Sequence, residues 1–132
     1  DELTGASWLP MGYVDDMASA YAAADLMVAR SGAGTVVETA TVGLPTIYVP
    51  LPHGNGEQAR NATSAVDAGA GVVVANADLD VERLLAETAR IHDADVLAQM
   101  SAAGRGLMPA HAAEEMAVRV ISAATSIDPT IG

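Results

Sequence analysis

Short apolar runs alternate with helix-like spacing along the first half of the chain. Three of these runs predict buried strands, at residues 25–30, 46–49 and 71–75. The spacing of apolar residues predicts helices at residues 15–24, 36–42, 57–68, 81–92, 95–104 and 112–126. Gly43 and Gly69 follow two of these helices, as expected for residues that end a helix. Strands separated by helices predict parallel βαβ units, and therefore a Rossmann-like, doubly wound parallel α/β sheet.

The remaining segments refine this picture. Residues 8–14 are predicted to be a short extended segment interrupted by Pro10 and Gly12, and Asp15 is predicted to cap the first helix. Only three or four strands are visible, which is few for a doubly wound sheet. With 132 residues, the first of which is Asp1, the chain is expected to be one partial domain over 1–132 that lacks its opening strands. Its C-terminal part, at 81–126, is predicted to be helical.

Composition excludes several classes of function. Apolar residues make up 51% of the chain, yet Phe is absent, so the core is expected to consist of Ala, Val, Leu, Ile and Met. The lack of Cys excludes disulfides and thiolate metal sites. A net charge of −11 without any Lys argues against a nucleic-acid partner. No apolar run is long enough to span a membrane and no leader pattern is visible, so this piece is expected to be soluble.

The segment Ser31–Thr35, "SGAGT", joins a predicted strand to a predicted helix. In an open α/β sheet, ligands bind beyond the carboxyl ends of the strands, where a helix N-terminus offers free N–H groups to an anion. Gly32 and Gly34 would allow a phosphate to approach the backbone, and the hydroxyls of Ser31 and Thr35 would add donors. The segment is neither a full dinucleotide fingerprint nor a P-loop, so the pattern by itself is weak.

Glu38 has two interpretations from its spacing. Thr35-Val36-Val37-Glu38 fits a capping box, in which Thr35 is the N-cap and Glu38 accepts from its backbone N–H. Alternatively, the Glu38 carboxylate extends over the loop and accepts hydrogen bonds from a vicinal diol such as a ribose. The residues alone leave both interpretations open.

The stretch from Gly12 to Ala62 resembles a known family in several ordered blocks. "DDM" follows the extended segment; "RSGAGTVVE", "GLP" and "QARNA" then follow in order and with consistent gaps. Together they resemble the donor-binding half of bacterial GT-B glycosyltransferases that transfer N-acetylglucosamine from UDP-N-acetylglucosamine to lipid I, forming lipid II for peptidoglycan. About fifty residues carry the resemblance, which is more specific than any one block.

The resemblance implies a role for each matched residue. It implies that the amides of Ala33, Gly34 and Thr35, beside Ser31, hold the diphosphate, and that Glu38 binds the ribose hydroxyls. The segment that would lie along the uracil comprises Tyr13, Val14 and Met17. Glu57 and Gln58 occupy the positions of a glutamine pair that touches the sugar. Glu57 departs from that pair, because a carboxylate accepts hydrogen bonds but cannot donate them.

The resemblance also implies an inverting displacement in which an acceptor hydroxyl attacks the anomeric carbon and UDP leaves, with neither metal nor cofactor. It implies that the acceptor site, the membrane contact and the general base lie in an N-terminal domain absent from this sequence. A protein of this family would work at the cytoplasmic face of the bacterial membrane, and this piece alone is expected to be inactive. The alternatives are the donor half of another GT-B glycosyltransferase, a UDP-N-acetylglucosamine epimerase-like domain, and a noncatalytic module.

Other polar residues have ordinary structural interpretations. His53 precedes Glu57 at the expected ligand edge and is a weak catalytic candidate. His92 and His111 lie near helix ends with no metal-binding spacing. Each Asp-x-Asp pair, Asp78 with Asp80 and Asp93 with Asp95, precedes a predicted helix, and N-capping is therefore expected of them.

Overall fold

The computed structural model describes residues 7–53, 55–107 and 111–125. The helices are α1 (Met17–Ala23), α2 (Ala33–Val42), α3 (Glu57–Asp67), α4 (Val81–Ile91), α5 (Ala94–Leu107) and α6 (Ala112–Thr125). The strands are β1 (Met27–Ala29), β2 (Thr46–Tyr48) and β3 (Gly71–Val73), and one 3₁₀ turn spans Asn76–Asp78. The order of these elements confirms the predicted alternation of strands and helices.

The three strands form one parallel sheet in the order β1-β2-β3. Met27 pairs with Thr46, and Thr46 pairs with Gly71, so the three strands begin level with one another. Their carboxyl ends therefore lie at one edge, from which residue 30, residue 49 and residue 74 lead into the following segments. The predicted α/β class and parallel topology are confirmed.

Both faces of β2 are buried, as expected for a central parallel strand. Tyr48 packs with Val36 of α2 and with Ala62 and Ala65 of α3 on one face. Ile47 points to the other face, since neighbouring side chains alternate along a strand. There it packs with Val74, Ile91 and Met100. Helices therefore cover the sheet on both sides.

A buried hydrogen bond locks the Tyr48 ring in place. Its hydroxyl lies 2.8 Å from Thr39 Oγ1, and both residues are fully buried. Thr39 Oγ1 also donates to the carbonyl of Thr35 at 2.9 Å, within α2. The ring thus connects the central strand to the middle of α2, and its position fixes the packing around it.

Helices α2 and α5 approach each other closely at two glycines. A Cβ at Gly104 would lie 3.2 Å from the carbonyl oxygen of Ala40, and Gly43 ends α2 with a φ of 71°. Arg105 of α5 lies over Gly43 and its Nε donates to the carbonyl of Val42 at 3.2 Å. This arginine satisfies a carbonyl at the negative end of the α2 dipole.

The boundaries of two helices differ from the prediction. Asp16, rather than Asp15, caps α1: its Oδ1 accepts from the Ser19 amide at 3.0 Å and its Oδ2 from the Ser19 hydroxyl at 2.6 Å. These bonds, led by the hydroxyl, lower the pKa of Asp16. Helix α2 begins at Ala33, with Gly32 as its N-cap, instead of at Val36. The helix therefore begins three residues earlier than predicted, because neither Ala33 nor Gly34 disfavours helical geometry strongly enough to end it.

Other predictions have mixed outcomes. Residues 8–14, predicted as a short extended segment, form no strand and are largely exposed. The capping role is confirmed for one member of each Asp-x-Asp pair: Asp80 Oδ1 accepts from the Arg83 amide at 2.7 Å, and Asp93 Oδ1 accepts from the Asp95 amide at 2.9 Å. Asp95 lies within the first turn of α5. Asp78 lies in the 3₁₀ turn instead of at a cap.

The last helix stands apart from the sheet. Every residue of α6 is exposed, including Met116, Val118 and Ile121, each at least 62% exposed. Across the three described ranges, no helix combines the length and apolar character needed to cross a bilayer.

Candidate functional site

The N-terminal turn of α2 lies at the carboxyl edge of the sheet, directly after β1. The first helical hydrogen bond runs from the Val36 amide to the Gly32 carbonyl, at 3.0 Å. The amides of Ala33, Gly34 and Thr35 therefore precede the helical ladder and point out of its positive end. Gly34 is exposed and Thr35 is half-buried, so this turn is open to an anion.

Ser31 holds the loop from beneath and is 0% exposed. Its carbonyl accepts from Asn61 Nδ2 of α3 at 3.1 Å, which fixes the loop to the neighbouring helix. Its hydroxyl is buried and, among the described residues, has no hydrogen-bond partner. Ser31 thus differs from the exposed residues that follow it: its side chain faces the interior.

We expect Ser31→Ala to raise the free energy of unfolding slightly, by up to about 1 kcal/mol. The substitution removes a buried hydroxyl that has no partner, and so removes a desolvation cost without removing a bond. Urea denaturation measures the change. A loss of stability greater than about 1 kcal/mol would show that the hydroxyl has a partner, and Thr39→Val, which does remove a bonded hydroxyl, serves as the contrasting variant.

Glu38 stands one turn into α2, above the open amides. A Cβ at Gly34 would lie 3.9 Å from Glu38 Oε1, so this oxygen faces the N-terminal turn. The other oxygen, Oε2, accepts from the hydroxyl of Tyr21 on α1 at 2.7 Å. The capping box is wrong, because the N-cap is Gly32 and Thr35 already lies within the helix. Glu38 is exposed and presents acceptor oxygen to the solvent.

The bond to Glu38 raises the pKa of Tyr21 above its ordinary value. The hydrogen bond is the largest cause, followed by partial burial and by the negative charge of Glu38. A raised pKa means that the folded state favours the neutral phenol. The resulting stability is therefore fully present at pH values below the ordinary pKa of about 10 and is lost as the pH rises through the raised value.

The residues expected along a base precede and begin α1. Met17 is the first residue of α1 and lies one turn before Tyr21, on the same side of the helix. Tyr13 is 81% exposed and Val14 is half-buried, in the irregular segment before the helix. The Tyr21–Glu38 bond thus connects this segment to the open end of α2.

Arg30 is the main residue of this edge that sequence reasoning missed. It follows β1 directly, and its Nη1 lies near three acceptors: Val49 O at 3.1 Å, Pro50 O at 3.3 Å and Asn76 Oδ1 at 2.7 Å. One guanidinium therefore joins the segments that leave all three strands. The only sequence signal was a cation immediately after a buried strand, beside the glycine loop.

The loop after β2 is fixed by Gln58. Its Oε1 accepts from the Leu51 amide at 3.0 Å, which leaves the side-chain NH₂ as the donor. Glu57 begins α3 and is exposed; its Oε1 accepts from Asn55 Nδ2 at 3.0 Å. His53 is exposed in the same loop. The two residues after Gly56 therefore lie beside the carboxyl edge with one carboxylate and one side-chain NH₂ group that has no partner among the described residues.

The other two histidines contact residues of their own helices. His92 ends α4, with Nδ1 2.7 Å from the Ala89 carbonyl, and His111 lies 3.3 Å from Glu114 on α6. Over the residues that the structure describes, no group of three or more His, Asp or Glu side chains is arranged to hold a metal ion.

Known proteins are similar to this chain over most of its length. Residues 5–117 match the glycosyltransferase family 28 C-terminal domain. The chain is 47% identical, over 117 residues, to a protein of Nocardioides sp. named UDP-N-acetylglucosamine--N-acetylmuramyl-(pentapeptide) pyrophosphoryl-undecaprenol N-acetylglucosamine transferase; the match covers 88% of this chain and 32% of that protein. A protein of the same name from Mycolicibacterium paratuberculosis is 55% identical over 97 residues, covering 73% of this chain and 24% of its own.

A solved structure shares the fold. The crystal structure of Acinetobacter baumannii MurG aligns with a TM-score of 0.78 at 29% identity, over 85% of this chain and 34% of that one. The chain spans about a quarter to a third of the length of these relatives. The match to the family covers most of the chain. The chain belongs to the glycosyltransferase family 28 C-terminal domain family.

Proposed function

We propose that this chain is the donor-binding part of an inverting glycosyltransferase that moves N-acetylglucosamine from UDP-N-acetylglucosamine to lipid I, forming lipid II. The observation that carries the proposal is the open N-terminal turn of α2 with the Glu38 carboxylate one turn above it. A diphosphate and a ribose are adjacent in UDP, and free amides and a carboxylate are adjacent here. The names of the relatives support the donor and the acceptor.

The amides of Ala33, Gly34 and Thr35 would hold the diphosphate. As the bond to the sugar breaks, negative charge grows on the leaving UDP, and fixed amide dipoles at a helix N-terminus stabilise that charge. Ser31 would contribute by its place beneath the loop, where its carbonyl is bonded to Asn61. These groups are in position before the reaction, so they need no rearrangement as the charge develops.

Glu38 would bind the ribose and the segment before α1 the base. Glu38 Oε1 faces the turn that would hold the diphosphate, which is where the attached ribose would lie. Tyr13, Val14 and Met17 precede Tyr21, the residue that contacts Glu38, so they are connected to the ribose position through one hydrogen bond. Backbone groups of this irregular segment are available to a uracil edge.

Gln58 and Glu57 would face the sugar. Gln58 keeps its NH₂ free for a sugar hydroxyl because its oxygen already binds the Leu51 amide. Glu57 would accept from a hydroxyl through the oxygen that Asn55 does not occupy. His53, exposed in the same loop, is a weaker candidate for contact with the sugar or the phosphates.

The complete reaction requires parts beyond this chain. An acceptor hydroxyl attacks the anomeric carbon, the bond to UDP breaks, and the hydroxyl proton passes to a general base. We assign the acceptor site, the base and the membrane contact to the remaining two thirds of the protein, which would act peripherally at the cytoplasmic face of the membrane. The relatives' names include an undecaprenol-linked substrate, which supports a lipid acceptor.

Calorimetric titration of UDP into the chain tests the donor site. Glu38→Ala is expected to weaken UDP binding at least about tenfold, since hydrogen bonds to a charged acceptor are lost. Exposed Glu115 of α6 provides the control: Glu115→Ala makes the same change in net charge and is expected to leave the affinity unchanged.

Two outcomes would contradict the proposal. Equal affinities for UDP in the natural chain and in folded Glu38→Ala would remove the ribose role. Absence of UDP binding by the folded chain would favour a noncatalytic module. A preference for another nucleotide sugar over UDP-N-acetylglucosamine would instead favour the donor half of a different GT-B enzyme, and isomerised UDP-sugar product would favour an epimerase.

A further inference from the structure

The hydroxyl of Tyr21 determines which way the Glu38 carboxylate faces. Glu38 is an exposed glutamate on a helix, so its three side-chain torsions would otherwise be free. Instead Oε2 is held at 2.7 Å by Tyr21, and Oε1 lies over Gly34. The bond joins residues 17 positions apart on two separate helices.

The Tyr21 side chain is partly covered by the protein. Tyr21 is half-buried and lines a cavity of about 500 Å³ together with Ala18, Gly43, Leu97 and Ser101. Helix α1 has no buried residue, and its described side chains make one hydrogen bond to α2, the bond to Glu38. The Tyr21 hydroxyl therefore both connects α1 to α2 and orients the Glu38 carboxylate.

We infer that Tyr21 is a positioning residue for ribose recognition: it holds Glu38 in the rotamer that accepts the nucleotide's hydroxyls. This inference rests on the proposed function of Glu38. By donating to Oε2, Tyr21 leaves both lone pairs of Oε1 for the ligand. It also fixes, before the ligand arrives, a side chain that would otherwise lose its freedom on binding.

The phenol stays a donor under ordinary conditions. Glu38 has no second donor among the described residues, so the neutral hydroxyl of Tyr21 alone orients it. A phenol, with an ordinary pKa of about 10, is protonated at neutral pH, and the bond to Glu38 raises the pKa of Tyr21 further. The ligand's hydroxyls would then be the next donors that the carboxylate meets.

The test compares UDP with 2′,3′-dideoxy-UDP, which lacks both ribose hydroxyls, in calorimetric titrations of the chain. Tyr21→Phe retains the ring and removes only the donor. We expect it to weaken UDP binding about fivefold, because the Glu38 side chain must then lose its freedom on binding, and to leave dideoxy-UDP binding unchanged. In a Glu38→Gln background, Tyr21→Phe is expected to have little further effect on UDP binding, because the two side chains act as one unit.

Tyr48→Phe is the matched control. It also removes one tyrosine hydroxyl from a short hydrogen bond, 2.8 Å from Thr39, but in the core. It is expected to lower the stability of the fold while the ratio of the affinities for UDP and dideoxy-UDP stays the same. Tyr21→Phe should change that ratio, which a merely structural role would not move.

The outcomes separate the two proposals. If Glu38→Gln reduces the preference for UDP over dideoxy-UDP and Tyr21→Phe does not, the positioning role is overturned and the proposed function of Glu38 stands. If Tyr21→Phe weakens both nucleotides equally, its role is structural and the inference is overturned. If Glu38→Gln leaves the preference intact, the ribose role of Glu38 fails, and the positioning role fails with it.

Discussion

Gly71→Ala is expected to reduce the free energy of unfolding by about 3 kcal/mol, near the upper end of the usual cost of overpacking. A Cβ at Gly71 would lie 2.6 Å from Tyr48 Cε2 and 2.7 Å from the Thr46 carbonyl oxygen. The Tyr48 ring cannot turn aside freely, because its hydroxyl is bonded to Thr39. The strands themselves would have to separate, and the parallel pairing of Thr46 with Gly71 would weaken.

Urea denaturation of the chain measures this loss, and Gly106→Ala provides the control. Gly106 also lies within an element, α5, but nothing is within 4 Å of a Cβ placed there. Because alanine favours helical geometry more than glycine does, Gly106→Ala is expected to raise the free energy of unfolding by about 0.5 to 1 kcal/mol. An unchanged denaturation midpoint for Gly71→Ala would mean that β3 can shift away from β2 without cost, contrary to this packing.

Arg30→Met is expected to cost about 2 kcal/mol of stability. Methionine retains much of the apolar stem but has no N–H groups, so the carbonyls of Val49 and Pro50 lose a charged donor. Both residues are buried, and water therefore replaces that donor poorly. The contact to Asn76 Oδ1 is lost as well, so the segments after β2 and β3 are no longer joined.

Two further variants separate the causes. Arg119→Met on the exposed helix α6 makes the same chemical change and is expected to alter stability by less than about 0.5 kcal/mol. Arg30→Lys retains the charge without the planar fork, and should recover only part of the loss. Full recovery by lysine, measured by urea denaturation, would show that charge alone matters and would contradict the role of the fork.

Much of the fold followed from local signals in the sequence. The apolar runs located all three strands, since a buried parallel strand needs apolar residues on both faces. Gly43 and Gly69 marked the ends of α2 and α3, and both have positive φ values. The predicted start of α2 was wrong because Thr35 is a plausible cap from its residue type, whereas Gly32 caps the helix without any side-chain hydrogen bond.

The candidate site was predicted only in part, because its contacts cross between elements. The glycine turn and Glu38 lie within eight positions of each other, so their proximity follows from helical geometry. The contact of Tyr21 with Glu38 depends on how α1 packs against α2, and Arg30 reaches Asn76 across 46 positions. Periodicity along one element contains no information about such distances.

Because helix α6 buries none of its residues, the free energy of local opening should differ along the chain. A helix of 14 residues, all of them exposed, has little packing to oppose fraying, so it should open at almost no cost in free energy. Strand β2, buried on both faces, should exchange its amide hydrogens only through global unfolding. The turn of α2 packs next to that strand, so fraying of the last helix would leave the proposed nucleotide site ordered.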